Sequence, residues 1–222
     1  MAECNGGVVC GGEEEGEEWM KYQQKNDLVA SAQESIMFVE ELYFVIPPDE
    51  QDEIKKMLNI HKINLVFFEK RKEPVASLFD AISIYLNEHL VSLIVAGIMP
   101  VAYDAIKSSV LCLLKHIKKL VVVSGSGKHK EASLKFNFRI GNIEINAPIP
   151  KELSDDQFSI YMEMLRTTIM ELGTSKKPNE KAYDCLVIEL NNDNMTLNVK
   201  TIVQHIREKR EEQSKDQMRR DK

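Results

Sequence analysis

Hydrophobic positions change their period several times along the chain, and each change marks an element. IMFVEELYFVI (residues 36–46) is rich in β-branched and aromatic residues and stops at Pro47-Pro48, which predicts a strand. PDEQDEIKKMLNI follows, with acids in front, lysines behind and Ile54, Met57 and Leu58 on one face, which predicts a helix with a favourable macrodipole. INLVFFEKR (63–71) is a second strand, continuous and apolar enough to be expected at the centre of a sheet. The front of the chain therefore reads strand-helix-strand, with a right-handed crossover if the strands are parallel. From Val75 through Leu78, Phe79, Ile82, Tyr85, Leu86, His89, Leu90, Leu93 and Ile94 to Gly97, apolar and small residues recur at steps of three and four. Ile106, Val110, Leu113 and Ile117 continue that stripe after Pro100. This predicts two helices, or one kinked at Pro100, over residues 75–119.

The second half alternates instead. In ASLKFNFRI (132–140) Leu134, Phe136, Phe138 and Ile140 share one face, and Lys135, Asn137 and Arg139 the other. Gly141-Asn142 is turn chemistry, and IEINAPI alternates again, so a β-hairpin is predicted. SDDQ (154–157) has the capping-box pattern ahead of a helix bearing Phe158, Met162, Leu165, Ile169 and Leu172, with Gly173 as its expected stop. CLVIEL (185–190) reads as a strand and NNDN as a turn. The remainder reads as a terminal helix with an apolar start at Val199, Ile202, Val203 and Ile206 and a wholly charged end expected to fray. The fold class this predicts is α+β: a mixed or antiparallel sheet, built from the strand-helix-strand unit and the hairpin, covered by apolar helices and ferredoxin-like in general character. The expected organisation is an acidic tail and short helix over 1–35, a globular core over 36–190 that is either one domain or two subdomains, 36–119 and 120–190, and a turn and charged helix over 191–222. Trp19, Tyr22, Leu28 and Val29 are the anchors of the short helix.

Composition narrows the function classes. At 222 residues the chain can bury a real core. A net charge of −6 argues against general nucleic-acid binding. MAECNGGVVCGG lacks the basic and apolar regions of a secretory signal, so a cytoplasmic location is expected. Cys4, Cys10, Cys112 and Cys185 form no CxxC pair, and only His116 lies near a cysteine in sequence; the expectation is reduced thiols and no metal. Asp49, Glu50, Asp52 and Glu53 are read as the acidic first turn of a helix rather than as metal ligands.

LVVVSGSGKHKE (120–131) approaches a phosphate-binding loop but lacks its requirements. Val122 stands where the first Gly should be, His129 replaces the hydroxyl after Lys128, and a strand rather than a helix follows. No nucleotide or other cofactor is expected. His61, His89, His116, His129 and His205 belong to no ligand pair, and no nucleophile-base arrangement is legible, so an enzyme is disfavoured unless distant residues converge. Residues 90–103 are uncharged but too few to span a bilayer. Extending to Leu114 encloses Asp104 and Lys107, which favours a buried helix pair over insertion, with a membrane-acting effector as an alternative. In that alternative Lys115, Lys118 and Lys119 would sit at the cytoplasmic interface.

Over residues 80–172 an apolar helix with Ala96 and Gly97, then YDAIKSSVLCLLKHIKK, a flexible loop, the hairpin KFNFRIGNIEI and a further helix succeed one another. This order resembles small accessory components encoded beside effectors in bacterial conflict and defence systems. The resemblance implies a non-catalytic bacterial component and carries over no active-site residues. The leading expectation is a protein-binding or assembly component, acting through a protein partner or self-association. Its contact residues are Arg207, Lys209, Arg210, Arg219 and Arg220, interspersed with Glu208, Glu211 and Glu212 in a pattern that suits helix pairing better than phosphate binding.

Overall fold

The computed structural model describes residues 23–31, 33–40, 46–68, 82–98, 100–118, 121–123, 129–131, 133–175, 185–191 and 194–220. In chain order these form α1 (residues 23–30), β1 (Ser35–Glu40), α2 (Pro48–Asn59), β2 (Ile63–Phe68), β3 (Ile82–Leu86), α3 (Glu88–Val95) and α4 (Pro100–Ile117). There follow β4 (Val121–Val123), β5 (His129–Glu131), β6 (Leu134–Ile140), β7 (Ile143–Ile149), α5 (Asp155–Thr174), β8 (Cys185–Asn191), β9 (Thr196–Thr201) and α6 (Ile202–Arg220). Seven strands make one mixed sheet in the order β2-β1-β3-β6-β7-β8-β9, and β4 pairs with β5 alone. The fold is α+β with helices packed on a sheet, as expected. β1 and β2 are parallel across α2, and β6 and β7 form the predicted hairpin through Gly141, whose φ of 58° glycine adopts at least cost.

Alternation gives the sheet two different faces. On the first, Met37, Val39, Leu65, Ile84, Phe136, Phe138, Ile145 and Ile188 meet α2, α3, α4 and α5 in one continuous core. On the second, paired residues form a row from Phe38 through Tyr85, Asn137, Asn146 and Val187 to Lys200. One end of this face is covered by α1, where Leu28 and Val29 pack with Ile36, Phe38 and Phe68 and Phe38 stacks on Tyr85 at 4.5 Å. Lys25 holds α1 there, donating to Tyr85 Oη at 2.7 Å and pairing with Glu40. Trp19 and Tyr22 lie outside the described residues.

The structure corrects five readings. The strand over 63–68, expected to be central, is the edge strand β2, paired among the described strands with β1 alone. ISIYL (82–86) is a strand at the centre of the sheet, not part of a helix, and residues 75–81 lie outside the described set. The helix begins only at Glu88 because Asn87 caps it. Residues 196–201 are a strand antiparallel to β8, so Val199 belongs to the sheet rather than to the terminal helix. α5 continues through Gly173 to Thr174. Gly173 is instead a contact point: a Cβ there would sit 2.5 Å from both γ-methyls of Val95 on α3. Finally, Lys115 pairs with Asp155 at 3.3 Å and Lys118 donates to the Leu153 carbonyl at 3.1 Å, so both tie α4 to the start of α5. Lys119 is outside the described residues.

Most apolar residues of 90–114 are spent on the core: Leu90, Val91, Ile94, Ala102, Tyr103, Ala105, Ile106 and Val110 are buried, while Ile98 and Val101 are exposed where α3 gives way to α4. Among the described residues no helix is long and apolar enough to cross a membrane. α3 and α4 are separate helices, and Gly97 at φ 68° ends the first. Residues 124–128 of the phosphate-loop look-alike are outside the described set. Its flanks, Val122 and His129, sit in the antiparallel strands β4 and β5, and no helix opens after Lys128.

Asn87 holds the N-terminal half together. Its Oδ1 accepts from Leu90 N at 3.1 Å, capping α3, and from Ile36 N at 3.0 Å, at the start of β1. Its Nδ2 donates to the carbonyls of Ser31 at 3.0 Å and Glu34 at 2.7 Å, just ahead of β1. Asn87→Ala removes a cap and leaves buried backbone groups unpaired, so it should destabilise the protein by about 3–5 kcal/mol. Ser154→Ala breaks only the exposed capping box of α5 and should cost about 1 kcal/mol. Urea midpoints of the two variants measure the difference; equal losses would mean that Asn87 is merely a cap. Gly173→Ala should destabilise by about 1 kcal/mol or more, overpacking against stiff Val95 outweighing the gain in helix propensity. In a Val95→Ala background the same change should stabilise, and a double-mutant cycle reads the reversal.

Candidate functional site

Two constellations stand out, on opposite faces of the sheet. The first is the seat of α6. Thr201 begins the helix with a reciprocal cap: its Oγ1 accepts from Gln204 N at 3.2 Å, and Gln204 Oε1 accepts from Thr201 N at 3.0 Å. The T-x-x-Q pattern that forms this cap was present in the sequence as TIVQ and places the helix start correctly. One turn later, side chains lock the helix to the second face of β8 and β9. Lys200 Nζ bridges Glu189 at 3.2 Å and Glu208 at 2.6 Å, and His205 Nδ1 lies 3.0 Å from the other Glu189 oxygen.

This anchoring fixes what α6 shows to solvent. Val203 is 63% exposed and Ile206 44% exposed, and the three-residue spacing puts both on one side of the helix. Arg207 and Arg210 lie beside them along an open groove, both exposed and with no ion pair among the described residues. Of the five sequence-predicted contact residues, the structure thus places Arg207 and Arg210 together on the apolar face. Lys209 is exposed but occupied by Glu212 at 3.3 Å. Arg219 and Arg220 lie on the last turn of α6, their side chains outside the described residues.

The second constellation lies between α2 and α4. Cys112 and His116, four residues apart on α4, present their side chains on one face of that helix. Glu50, in the first turn of α2, reaches across. Its Oε2 contacts His116 Nε2 directly and lies 3.9 Å from Cys112 Sγ. The donor atoms of the three residues all fall within 4.8 Å of one another, the one such group of three among the described residues. Burial pushes the Cys112 thiol up, the carboxylates of Glu50 and Glu53 add to this, and Lys115 opposes it. The reading of Glu50 as a helix-dipole acid is correct for its position but misses the partners that a distance of more than 60 residues hides.

Compared with models of protein families, with curated proteins and with solved structures, the chain matches none. Its functional reading therefore rests on these two sites.

The α6 seat has a pH signature. Burial raises the Glu189 carboxyl, but the Lys200 ammonium and His205 more than offset this and hold it below the ordinary carboxylate range. A depressed folded-state pKa contributes stability above the unfolded value, about 4.3, and that contribution is lost as pH falls through the lower folded value. Wild type should therefore lose stability on acidification below about pH 4. Glu189→Gln should start lower at neutral pH and show a flatter acid limb in urea midpoints against pH. An unchanged slope would mean that Glu189 does not hold α6.

Proposed function

We propose that this protein is a non-catalytic binding or assembly component, acting inside the cell, that engages a protein partner through α6. The carrying observation is the exposure of Val203 and Ile206 beside Arg207 and Arg210, on a helix whose opposite side is pinned to the sheet. A helix of 19 residues is about 28 Å long, enough to present several turns to a partner. The partner chemistry that fits is an amphipathic helix whose apolar contact is bordered by carboxylates, because Arg207, Arg210 and Lys215 line the groove against one acid, Glu211, and the two arginines make no ion pair among the described residues. Mixed charge elsewhere on α6 and the net charge of −6 support a protein partner over nucleic acid.

The test is affinity capture from the native host with wild type and Arg207→Glu/Arg210→Glu run in parallel, quantified by mass spectrometry. A stoichiometric partner should appear with wild type and fall at least tenfold with the charge-reversed chain, whose circular dichroism and melting temperature should match wild type. A concentration-dependent rise in mass of the purified chain, lost in the same variant, would make a second copy the partner. Equal capture by both chains, or none by either, would overturn the reading.

A further inference from the structure

We propose that Glu50, Cys112 and His116 form a divalent transition-metal site of the zinc type, bridging α2 and α4. The inference is independent of the α6 reading and lies on the other face of the sheet. The donor set is the first argument. A thiol, an imidazole and a carboxylate are the three side chains that zinc takes most readily, and together they disfavour magnesium and calcium, which demand oxygen ligands. The i, i+4 placement of Cys112 and His116 presents both donors from one rigid helix turn, while Glu50 comes from a different helix.

Geometry is the second argument. Bonds of about 2.0–2.3 Å place the donors of a tetrahedral ion roughly 3.3–3.7 Å apart. The Cys112 Sγ to Glu50 Oε2 separation of 3.9 Å is close to this. The tighter contact between Glu50 and His116 opens by a turn of the Glu50 carboxylate, which is 38% exposed on its side chain and free to move, whereas His116 at 13% is held. Glu53, one helical turn beyond Glu50, adds negative potential at the thiol and favours a cation. Three protein donors leave a fourth position on the solvent side, where Glu50 emerges. A water would fill it, so the site has the open form rather than the closed four-ligand form.

The test uses the full chain, purified and reduced, titrated with cobalt(II) and separately with zinc(II). Cobalt should give a thiolate charge-transfer band and tetrahedral visible bands that saturate at one equivalent. Zinc should compete it away and raise the melting temperature. Cys112→Ser should abolish the charge-transfer band. His116→Gln and Glu50→Gln should each weaken binding by at least tenfold, with metal-free circular dichroism unchanged in all three. Absence of a thiolate band in wild type overturns the proposal. So does a band that persists in Cys112→Ser, because the ligand would then be another cysteine.

Discussion

One carboxamide organises the front of this molecule. Asn87 sits between a strand and a helix, and both of its polar atoms are fully used inside the protein. Its oxygen orders the amide ends of β1 and α3, and its nitrogen gathers the two carbonyls that precede β1. The bonds to Ile36 N and Leu90 N are buried, so losing either is felt at nearly full desolvation cost, while the two carbonyls are only partly buried. β1 and β3 pair directly beside it, so its bonds set where the antiparallel seam starts. The packing of α3 on α5 through Gly173 then carries that constraint to the C-terminal half.

Local signals in the sequence read well where the chemistry was local. The hairpin over Leu134–Ile149, the Ser154 capping box and the crossing from β1 through α2 to β2 are each determined by neighbouring residues. β3 was hidden because Ile82, Tyr85, Leu86, His89 and Leu90 happen to fall at helical spacing across a strand-helix junction. Asn87, between Leu86 and Glu88, is the local mark of the break, and its meaning depends on partners more than 50 residues away. β9 escaped because TLNVKT is an edge strand with few buried positions. The Glu50, Cys112 and His116 cluster was invisible for the same reason as the Asn87 network: each member looks ordinary in its own helix.

The two candidate sites differ in physical character. α6 is held through ion pairs at one end and leaves apolar surface open at the other, which suits association. The α2 and α4 cluster is inward, compact and mixed in donor type, which suits a small ligand. They lie on opposite faces, with α2 against the β2 edge and α6 against β8 and β9. Neither depends on the other for its geometry, so one chain can carry both.

The polar middle of the second sheet face has a consequence for fidelity of strand pairing. Lys135, Asn137 and Arg139 alternate with Leu134, Phe136, Phe138 and Ile140 along β6, the strand that joins the two halves of the sheet. Sliding β6 by one residue against β3 would turn the phenylalanines outward and push the cations of Lys135 and Arg139 in among Ile84, Leu113 and Phe158. Burying such groups unpaired costs several kcal/mol each. The side of the sheet that contributes least to the core thus acts as its error check, making the misaligned pairing too unfavourable to persist.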